Sequence, residues 1–415
     1  MARDLERYDR QIRIFKKAGQ KKLLSTRVGL VGSQKVSDFM LADLLSIGIG
    51  EITRIGYSDF LEFEKINPEV YLDHVGEELC SLQLAEFHLD GKDFIIDASN
   101  NPTSKAYSLA VAKKRNIPYL SVCSSQSSFS FSTSKTYQDL IDTHEKELET
   151  EQGLLNSIVC SGIATDELRK RLVPMKDDSL LDNLQDSSIK EGRLEKKVLQ
   201  IGAGAIGTFS ALALSLMNAE LTIVDFDVID ESNLNRQFLF YNSVGLNKAE
   251  VLTERLKKYT KKIKAINKQI TGFFTPKGYD VILSCVDNNK ARYYLNKVAA
   301  RFNIPLINGG SSISAGNTMP YVPKKTACLD CQTGSKLTEA LTEETKRRGS
   351  AACFQPSIIT SNQIMGGLMV DCLLKALNGE YEKSNYSSGY GIFRQKIDTN
   401  CYQECKKSEQ DGKSE

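Results

Sequence analysis

The pattern of apolar and polar segments is clearest in the second half of the chain, where it predicts a strand, a turn, a helix and another strand. Residues 198–201 are apolar, 202–207 are rich in glycine, and 208–217 are again largely apolar. The next predicted strand, 221–224, is followed by Asp225. Glycines permit close approach to the backbone, and the helix that follows presents free N–H groups to phosphate. Since Asp225 can bind ribose hydroxyls, the stretch predicts a nucleotide site.

Five short segments of the first half recur in the same order in the second half, which predicts an internal repeat. We therefore expect an α/β fold with two similar units, each a mainly parallel sheet with flanking helices. The predicted units are 1–172 and 196–405, joined by a polar linker at 173–195 and followed by a disordered tail at 406–415. The recurring pairs are 28–32 with 198–202, 51–56 with 221–224, 93–101 with 280–289, 116–120 with 303–307, and 159–163 with 364–368.

The first copy of the repeat lacks the residues expected to bind a nucleotide. Its turn at 32–37 has lost two of the three glycines, and a Cβ atom there would obstruct a phosphate. Ser99 takes the place of Asp287 when the two sequences are compared. This half is predicted to keep the fold and bind no nucleotide. The charged insert at 136–152 is interpreted as a solvated helical face.

Composition excludes several classes of protein. The 415 residues include 54 basic and 52 acidic side chains, and this near-balance favours no nucleic-acid partner. The N-terminus is too charged for a signal peptide, and no apolar run is long enough to span a membrane. We expect a cytoplasmic protein. In a reducing compartment its ten cysteines are expected to be metal ligands, reactive thiols or core residues rather than disulfides.

Charged residues that follow the glycine turn favour a nucleoside triphosphate. Arg236 and Lys248 can neutralise phosphates, and Asp287 can hold Mg²⁺. A dehydrogenase that binds a dinucleotide needs only the glycines and the ribose acid. Each residue also has a plainer interpretation, because the turn can lack a ligand, the two cations can be surface charges, and Asp287 can cap a helix.

Together these residues resemble the ubiquitin-activating enzyme superfamily, which includes the adenylating enzymes of sulfur-carrier proteins. The resemblance extends to an N-terminal motif at 7–13, whose Arg10 would reach from the inactive half into the active half, although Arg10 can also be a surface residue. It implies two Rossmann-like adenylation domains in a single-chain pseudo-dimer, with association of two such chains left open. The residues that carry the match to the nucleotide site are Gly202, Gly204, Gly207, Asp225, Asn233, Asn235, Arg236, Gln237, Lys248 and Asp287.

The resemblance implies that ATP and Mg²⁺ are used to adenylate the C-terminal glycine of a ubiquitin-like protein. Arg10, Arg236, Lys248 and Asp287 would act at the phosphates by positioning and charge neutralisation. Cys353 occupies the place where compact members of the superfamily form a thioester before transfer to a conjugating enzyme. A buried structural thiol is the alternative for Cys353.

Two cysteine pairs have spacings that suggest a structural zinc site. Cys328 and Cys331 are separated by two residues, and Cys401 and Cys405 can supply the other pair. Four thiolates satisfy tetrahedral zinc without histidine. The resembling family places two pairs in these relative positions, but its second pair has two intervening residues where this chain has three.

Three other functions remain as alternatives. The chain can activate a sulfur carrier or modify a ribosomal peptide without a thioester step. An NAD-dependent oxidoreductase gives Arg236, Lys248 and the cysteine pairs no role. An inactive scaffold does not account for the intact second nucleotide motif.

Overall fold

The computed structural model describes residues 5–58, 60–270, 274–334, 356–397 and residue 401. Its helices are α1 (Asp9–Ser25), α2 (Lys35–Ile47), α3 (Phe63–Ile66), α4 (Leu82–Leu89), α5 (Pro102–Arg115), α6 (Tyr137–His144), α7 (Leu154–Leu172), α8 (Ala205–Leu216), α9 (Lys248–Leu256), α10 (Asn289–Phe302), α11 (Leu329–Gln332) and α12 (Ile359–Leu377). Single 3₁₀ turns lie at Glu6–Tyr8, Glu231–Asn233 and Phe238–Phe240.

Two mixed sheets are built in the same way, one in each half of the chain. The first contains β1 (Arg27–Val31), β2 (Glu51–Ile55), β3 (Tyr71–Val75), β4 (Phe94–Asp97), β5 (Tyr119–Ser124), β6 (Phe129–Ser132) and β7 (Asn183–Asp186). The second contains β8 (Lys197–Ile201), β9 (Glu220–Val224), β10 (Ile263–Ile266), β11 (Val281–Ser284), β12 (Leu306–Ser311), β13 (Ala315–Tyr321), β14 (Glu382–Ser387) and β15 (Gly391–Lys396).

The strand order confirms the predicted α/β class with two Rossmann-like sheets. The first sheet runs β3-β2-β1-β4-β5-β6-β7 and the second β10-β9-β8-β11-β12-β13-β14-β15. In each sheet the first five strands are parallel and the remaining strands are antiparallel. The order reverses between β1 and β4 in one sheet and between β8 and β11 in the other. Ligands of such folds bind at this reversal, beyond the carboxyl ends of the strands.

Helices α7 and α12 cross at glycines and join the two halves through one shared core. A Cβ atom on Gly162 of α7 would lie 2.8 Å from Ile364, and one on Gly367 of α12 would lie 2.7 Å from Val159. These two contacts are reciprocal. Gly162 and Gly367 occupy equivalent positions of the repeat, and so do Val159 and Ile364. Reciprocal contact is what a two-fold arrangement of similar units produces.

Helix ends repeat between the halves as well. Asn116 after α5 and Asn303 after α10 both adopt the left-handed conformation, with φ of 53° and 52°. Asparagine tolerates this conformation better than most residues, and it ends each helix before a Pro-containing turn into the next strand. The recurrence of Asn-Ile-Pro in the sequence therefore reflects one repeated helix–strand connection.

The segment 173–195, predicted to be a linker, contributes β7 to the first sheet. The domain boundaries themselves remain a prediction. Polarity alone suggested a linker here, but β7 lies at a sheet edge, where a strand of polar residues such as Asn183–Asp186 can keep its side chains partly exposed.

The insert at 136–152 is not simply a solvated face. His144 and Glu147 are buried, and both hydrogen-bond to Ser130 of β6, with distances of 2.7 Å and 2.5 Å. Burial lowers the pKa of His144 well below its ordinary value, so this ring is neutral at pH 7. Charged residues lie between these two positions in the sequence. The prediction of a solvated face therefore missed the buried polar network.

Gln152, at the end of that insert, packs its side chain against the N-terminus of α2. Its Oε1 accepts a hydrogen bond of 2.8 Å from the N–H of Val36, in the first turn of α2. Its Nε2 donates to the carbonyl of Ala98 and to Oδ1 of Asn100, at 3.2 Å and 3.3 Å. The side chain thereby satisfies one helix N–H that a nucleotide would otherwise bind.

The comparison of Ser99 with Asp287 was wrong by one residue. Asn101 caps α5 and Asn288 caps α10, and both follow the ends of β4 and β11 at the same spacing. Asn100 is therefore the counterpart of Asp287. Its amide is already committed to the carbonyls of Ser124 and Thr150, at 2.6 Å and 3.0 Å.

Among the residues that the structure describes, no helix combines the length and apolar character needed to cross a bilayer.

A buried carboxyl group lies where α2, α7 and α12 meet. Asp43 is fully buried, and its Oδ2 accepts a hydrogen bond of 3.2 Å from Thr165. Burial raises the pKa of Asp43 well above its usual 3.8, although hydrogen bonds from Thr165 and Gln363 oppose the shift and no charged side chain contributes to it. Asp43 Oδ1 and Gln363 Oε1 are both acceptors without a donor among the described residues. A proton on Asp43 satisfies this site best.

We predict that Asp43→Asn stabilises the protein at pH 7. The amide supplies without a charge the donor that Asp43 offers only when it holds a proton, and holding that proton at a pH above the ordinary pKa of the carboxyl lowers stability. Because the folded state holds a proton that the unfolded state releases, the free energy of unfolding of the native chain falls as pH rises above about 4. Denaturant titrations between pH 5 and 8 measure this slope. An Asp43→Asn variant with the slope of the native chain would contradict the assignment, and the exposed Asp142→Asn is the matched control.

Candidate functional site

The glycine turn after β8 needs two of its glycines for the protein's own packing and leaves the third facing open space. Gly202 has φ of +103°, and a Cβ atom there would lie 2.6 Å from the carbonyl oxygen of Cys285. A Cβ atom on Gly207 would lie 2.3 Å from the carbonyl oxygen of Gly202. At Gly204, the N-cap of α8, a Cβ atom would meet nothing within 4 Å among the described residues. The turn therefore leaves room beside the first free N–H groups of α8.

Gln200 supports the turn from beneath. Its Nε2 donates to the carbonyls of Gly202 and Gly207, at 3.0 Å and 2.9 Å, and its Oε1 accepts from Ser210 at 3.0 Å. The buried amide ties strand, turn and helix together, so the loop is held in shape before any ligand binds. Its counterpart in the first half is Leu30, which can make none of these hydrogen bonds.

Asp225 lies at the carboxyl end of β9 beside the turn. Its carboxylate accepts hydrogen bonds from the N–H of Ala203 at 2.6 Å and of Asp227 at 2.8 Å. Burial raises the pKa of Asp225, opposed by these two hydrogen bonds and by the charge of Lys248. In the first half the counterpart is Gly56, where a Cβ atom would lie 2.2 Å from the carbonyl oxygen of Gly32. No aspartate fits at that position without moving the backbone.

Two cations of the second half, Arg236 and Lys248, are predicted to contact phosphates, and both side chains are buried. Lys248, at the start of α9, makes an ion pair of 2.9 Å with Asp227. Arg236 donates to the carbonyl of Ser232 at 2.6 Å and to Oδ1 of Asn235 at 2.9 Å. Burial lowers the pKa of Arg236 to about 9, and the charge of Arg10 adds to the shift. A second positive charge beside a desolvated guanidinium is an arrangement that favours an anion.

Arg10 reaches the second half from α1. Burial lowers the pKa of Arg10, while the charge of Asp9 and, less strongly, those of Asp230 and Asp287 in the second half act to raise it. The helix is held against the second half by neighbours on both sides. Arg7 makes an ion pair of 3.5 Å with Glu231, and Gln11 accepts a hydrogen bond of 3.2 Å from Asn235.

The remaining predicted residues occupy three different settings. Asp287 is exposed at the carboxyl end of β11, just before α10. Asn233 is structural in this state, since it accepts from the N–H of Asp230 at 3.2 Å and completes a capping box. Gln237 is buried, and its Oε1 lacks a hydrogen-bond donor within the described ranges.

The charges of the predicted nucleotide residues influence one another. Lys248 acts on both Asp225 and Asp230, Arg10 acts on Asp230 and Arg236, and Asp287 acts on Arg10. The glycine turn borders this group, since its Ala203 donates to Asp225. Cys353 and Cys405 lie outside the described residues.

Sequence reasoning missed four polar residues that hold the group in place. Gln200 and Asp230 are described above. Asn247 caps α9 and donates to the carbonyls of Asp225 and Asp227, at 3.2 Å and 3.1 Å. Arg292 bonds to two groups of β12 and to the carbonyl of Val286 after β11. The glycine motif gave no signal for any of the four, but Asp230 and Asn247 are of residue types that favour helix N-caps, which is a usable signal.

Three of the four cysteines predicted to bind zinc come together. The sulfur atoms of Cys328, Cys331 and Cys401 lie within 4.8 Å of one another. In tetrahedral zinc sites, Zn–S bonds of about 2.3 Å place sulfur atoms about 3.8 Å apart. The cluster therefore fits a metal with little movement.

Residues 180–415, more than half of the chain, match the ThiF family, and the chain belongs to that family. This confirms the resemblance to the superfamily of ubiquitin-activating enzymes. The chain is 32% identical over 144 residues to SUMO-activating enzyme subunit 2 of Dictyostelium discoideum, covering 33% of this chain and 22% of that protein. It is 29% identical over 212 residues to ubiquitin-like modifier-activating enzyme 5 of Caenorhabditis elegans, covering 46% of this chain and 50% of that protein. These matches thus span between about a fifth and a half of the relatives' length.

Among solved structures, the chain is similar to E. coli MccB in complex with AMPCPP and MccA. The identity is 24%, the TM-score is 0.42, and the match covers 49% of this chain and 65% of that chain.

Proposed function

We propose that this chain activates a ubiquitin-like protein by transferring AMP from ATP to the protein's C-terminal carboxylate. The observation that carries the proposal is that the charges of Arg10, Arg236, Lys248 and Asp287 interact with one another or with Asp225 and Asp230, and that Asp225 is bonded to the glycine turn. Three cations are more than a dinucleotide requires, and they match the charge of a triphosphate. The names of the curated relatives, which are activating enzymes of SUMO and of ubiquitin-like modifiers, support the class of substrate.

The proposed reaction is a substitution at the α-phosphorus of ATP. A carboxylate oxygen of the C-terminal glycine forms a bond to phosphorus, and the bond to the bridging oxygen breaks, so that pyrophosphate leaves with the electron pair. Negative charge accumulates on the phosphate oxygens as this occurs. Arg236 and Lys248, held by Asn235 and Asp227, are placed to offset it without rearrangement.

Arg10 gives the inactive half a role in this reaction. It is carried by α1, and the contacts of Arg7 and Gln11 with the second half fix its position. The charge of Arg10 lowers the pKa of Arg236, and an anion bound near both guanidiniums would offset that repulsion. We therefore assign Arg10 to phosphate binding across the boundary between the halves.

Asp287 fits a role in holding Mg²⁺. Mg²⁺ is bound in such sites by one or two carboxylates together with substrate phosphates, and Asp287 is an exposed carboxylate on the same strand-end edge as the glycine turn. A bound Mg²⁺ would neutralise charge on the phosphates. Asp287 itself would orient that ion and, through its charge, Arg10.

We further propose that Cys353 attacks the acyl-adenylate. Its sulfur would bond to the glycine carbonyl carbon, AMP would leave, and the thioester would pass to a conjugating enzyme. Without this step the chain would be an adenylating enzyme of the kind that serves sulfur carriers or peptides.

We predict that ATP–pyrophosphate exchange depends on a small protein ending in Gly-Gly and on Arg10. Arg10→Ala should slow exchange by about 100-fold, because a charge aimed at the phosphates is lost. Arg13→Ala is the matched control, since Arg13 lies on the same helix and pairs with Asp9. Exchange can be followed with labelled pyrophosphate. Equal loss in both variants, or exchange that needs no such protein, would refute the proposal.

We predict that a reducible conjugate between this chain and its modifier is absent from Cys353→Ala, whereas exchange persists. The alanine variant removes the nucleophile but leaves the adenylation residues intact. Gel analysis with and without thiol reductant measures the conjugate. Cys80→Ser, which alters an exposed cysteine of the first half, should have no effect. A conjugate that survives Cys353→Ala would reject the assignment.

We also propose that Cys328, Cys331 and Cys401 bind a structural zinc ion with Cys405 as the fourth ligand. We predict one zinc ion per chain in freshly purified protein and a lower melting temperature after chelation, since structural zinc contributes directly to folding. Metal analysis of Cys401→Ser should show loss of zinc, whereas Cys80→Ser should retain it. Native protein without zinc would exclude the site.

A further inference from the structure

A cation with little exposure forms a brace that links two neighbouring strands in each half of the molecule. In the second half it is Arg292, the fourth residue of α10. Its Nη1 donates to Oδ1 of Asn308 and to the carbonyl of Gly309, both at 2.7 Å, and its Nη2 donates to the carbonyl of Val286 at 2.6 Å. The guanidinium therefore connects the middle of β12 to the loop that follows β11.

The first half carries the same brace with a different cation. Lys105 is the fourth residue of α5, and it donates to Ser121 Oγ at 2.8 Å and to the carbonyl of Val122 at 3.3 Å. Asp97 pairs with Ser121 in the first sheet, just as Ser284 pairs with Asn308 in the second. Ser121 and Val122 are thus the structural counterparts of Asn308 and Gly309, whereas the contact with Val286 belongs to Arg292 alone. The repeat has kept the brace where it has lost the nucleotide residues.

The two braces differ in where the opposing negative charge lies. Lys105 also makes an ion pair of 3.4 Å with Asp97. Both side chains are fully buried, so this ion pair is inaccessible to solvent. The counterpart of Asp97 is Ser284, which carries no charge. The carboxylate whose charge acts on Arg292 is that of Asp287, in the loop toward the nucleotide turn. In the second half, the negative charge near the cation therefore lies on the loop after β11, whereas in the first half it lies on strand β4.

We propose that Arg292 is a positioning residue that holds the loop 285–289, and with it Asp287, in the arrangement that binds the metal–nucleotide complex. This inference rests on the proposed function. Arg292 fixes the carbonyl directly before Asp287 and shares an electrostatic contact with its side chain. Without the brace the loop must be ordered when the ligand binds, and that ordering costs binding free energy.

The test compares Arg292→Gln and Arg292→Lys in the full chain. In ligand-free protein, amide hydrogen exchange over 285–289 should become faster in Arg292→Gln, because two carbonyls lose their donor. Calorimetric binding of AMPCPP with Mn²⁺ should weaken by about tenfold or more, given the cost of leaving such groups unpaired. Arg292→Lys keeps the charge but not the planar fork, so its effects should be intermediate. It also serves if the glutamine variant fails to fold.

The matched control removes the other brace together with its counter-charge, as Lys105→Gln with Asp97→Asn. It should lower the melting temperature and leave AMPCPP binding unchanged. Native-like AMPCPP binding in Arg292→Gln would overturn the inference and leave Arg292 a purely structural residue. If the native chain itself fails to bind AMPCPP with Mn²⁺, the proposed function fails. Hydrogen exchange over 285–289 then still decides whether Arg292 orders the loop. If exchange is the same in Arg292→Gln and the native chain, Arg292 does not hold the loop and the inference fails as well.

Discussion

Close packing of α7 against α12 is the constraint on which the rest of the structure depends. The helices approach through Gly162 and Gly367, each of which faces a branched side chain of the other helix at a distance that excludes a Cβ atom. The same helix packs closely against α8, which follows the glycine turn. A Cβ atom on Gly366 would lie 2.5 Å from Cβ of Phe209 in α8. The spacing between the halves and the position of the nucleotide turn are therefore determined by the same helix. Interiors packed this tightly transmit displacements rather than absorb them.

The two halves have diverged mainly in what fills the space beyond the strand ends. In the second half, no atom of the described residues lies within 4 Å of the place where a Cβ atom on Gly204 would stand. In the first half, Gln152 binds the N–H of Val36 and Asn100 binds two carbonyls, so the groups that would meet a phosphate are already satisfied. Removing a ligand site from a buried edge leaves polar backbone groups that need new partners. The insert 136–152 supplies those partners, which explains why a charged segment contains a buried glutamine.

Features governed by local backbone chemistry could be predicted from the sequence, whereas features governed by distant partners could not. Gly202 must be glycine because of its own φ and its immediate neighbour, and the repeated Asn-Ile-Pro marks a helix end by local rules. Gln200, Gln152 and Arg292 look like ordinary polar residues until folding brings their acceptors to them. The one-residue error at Ser99 has the same origin, because the equivalence with Asn100 depends on cap position rather than on residue type. The polar strand β7 was missed because an edge strand has no apolar alternation to reveal it.

The electrostatic design of the second half follows from where its counter-charges are placed. The first half neutralises its buried cation inside the sheet, through Lys105 and Asp97, and this pair has no charge to offer a ligand. The second half carries Ser284 in place of that aspartate, and the carboxylates whose charges act on Arg292 and Arg236 are Asp287 and Asp230, which lie outside the strands. Asp287 is exposed, so its charge remains accessible to a cation, whereas Asp97 is fully buried. The change from Asp97 to Ser284 therefore moves the counter-charge of the brace from a buried strand to an exposed loop, as the proposed role of Asp287 requires.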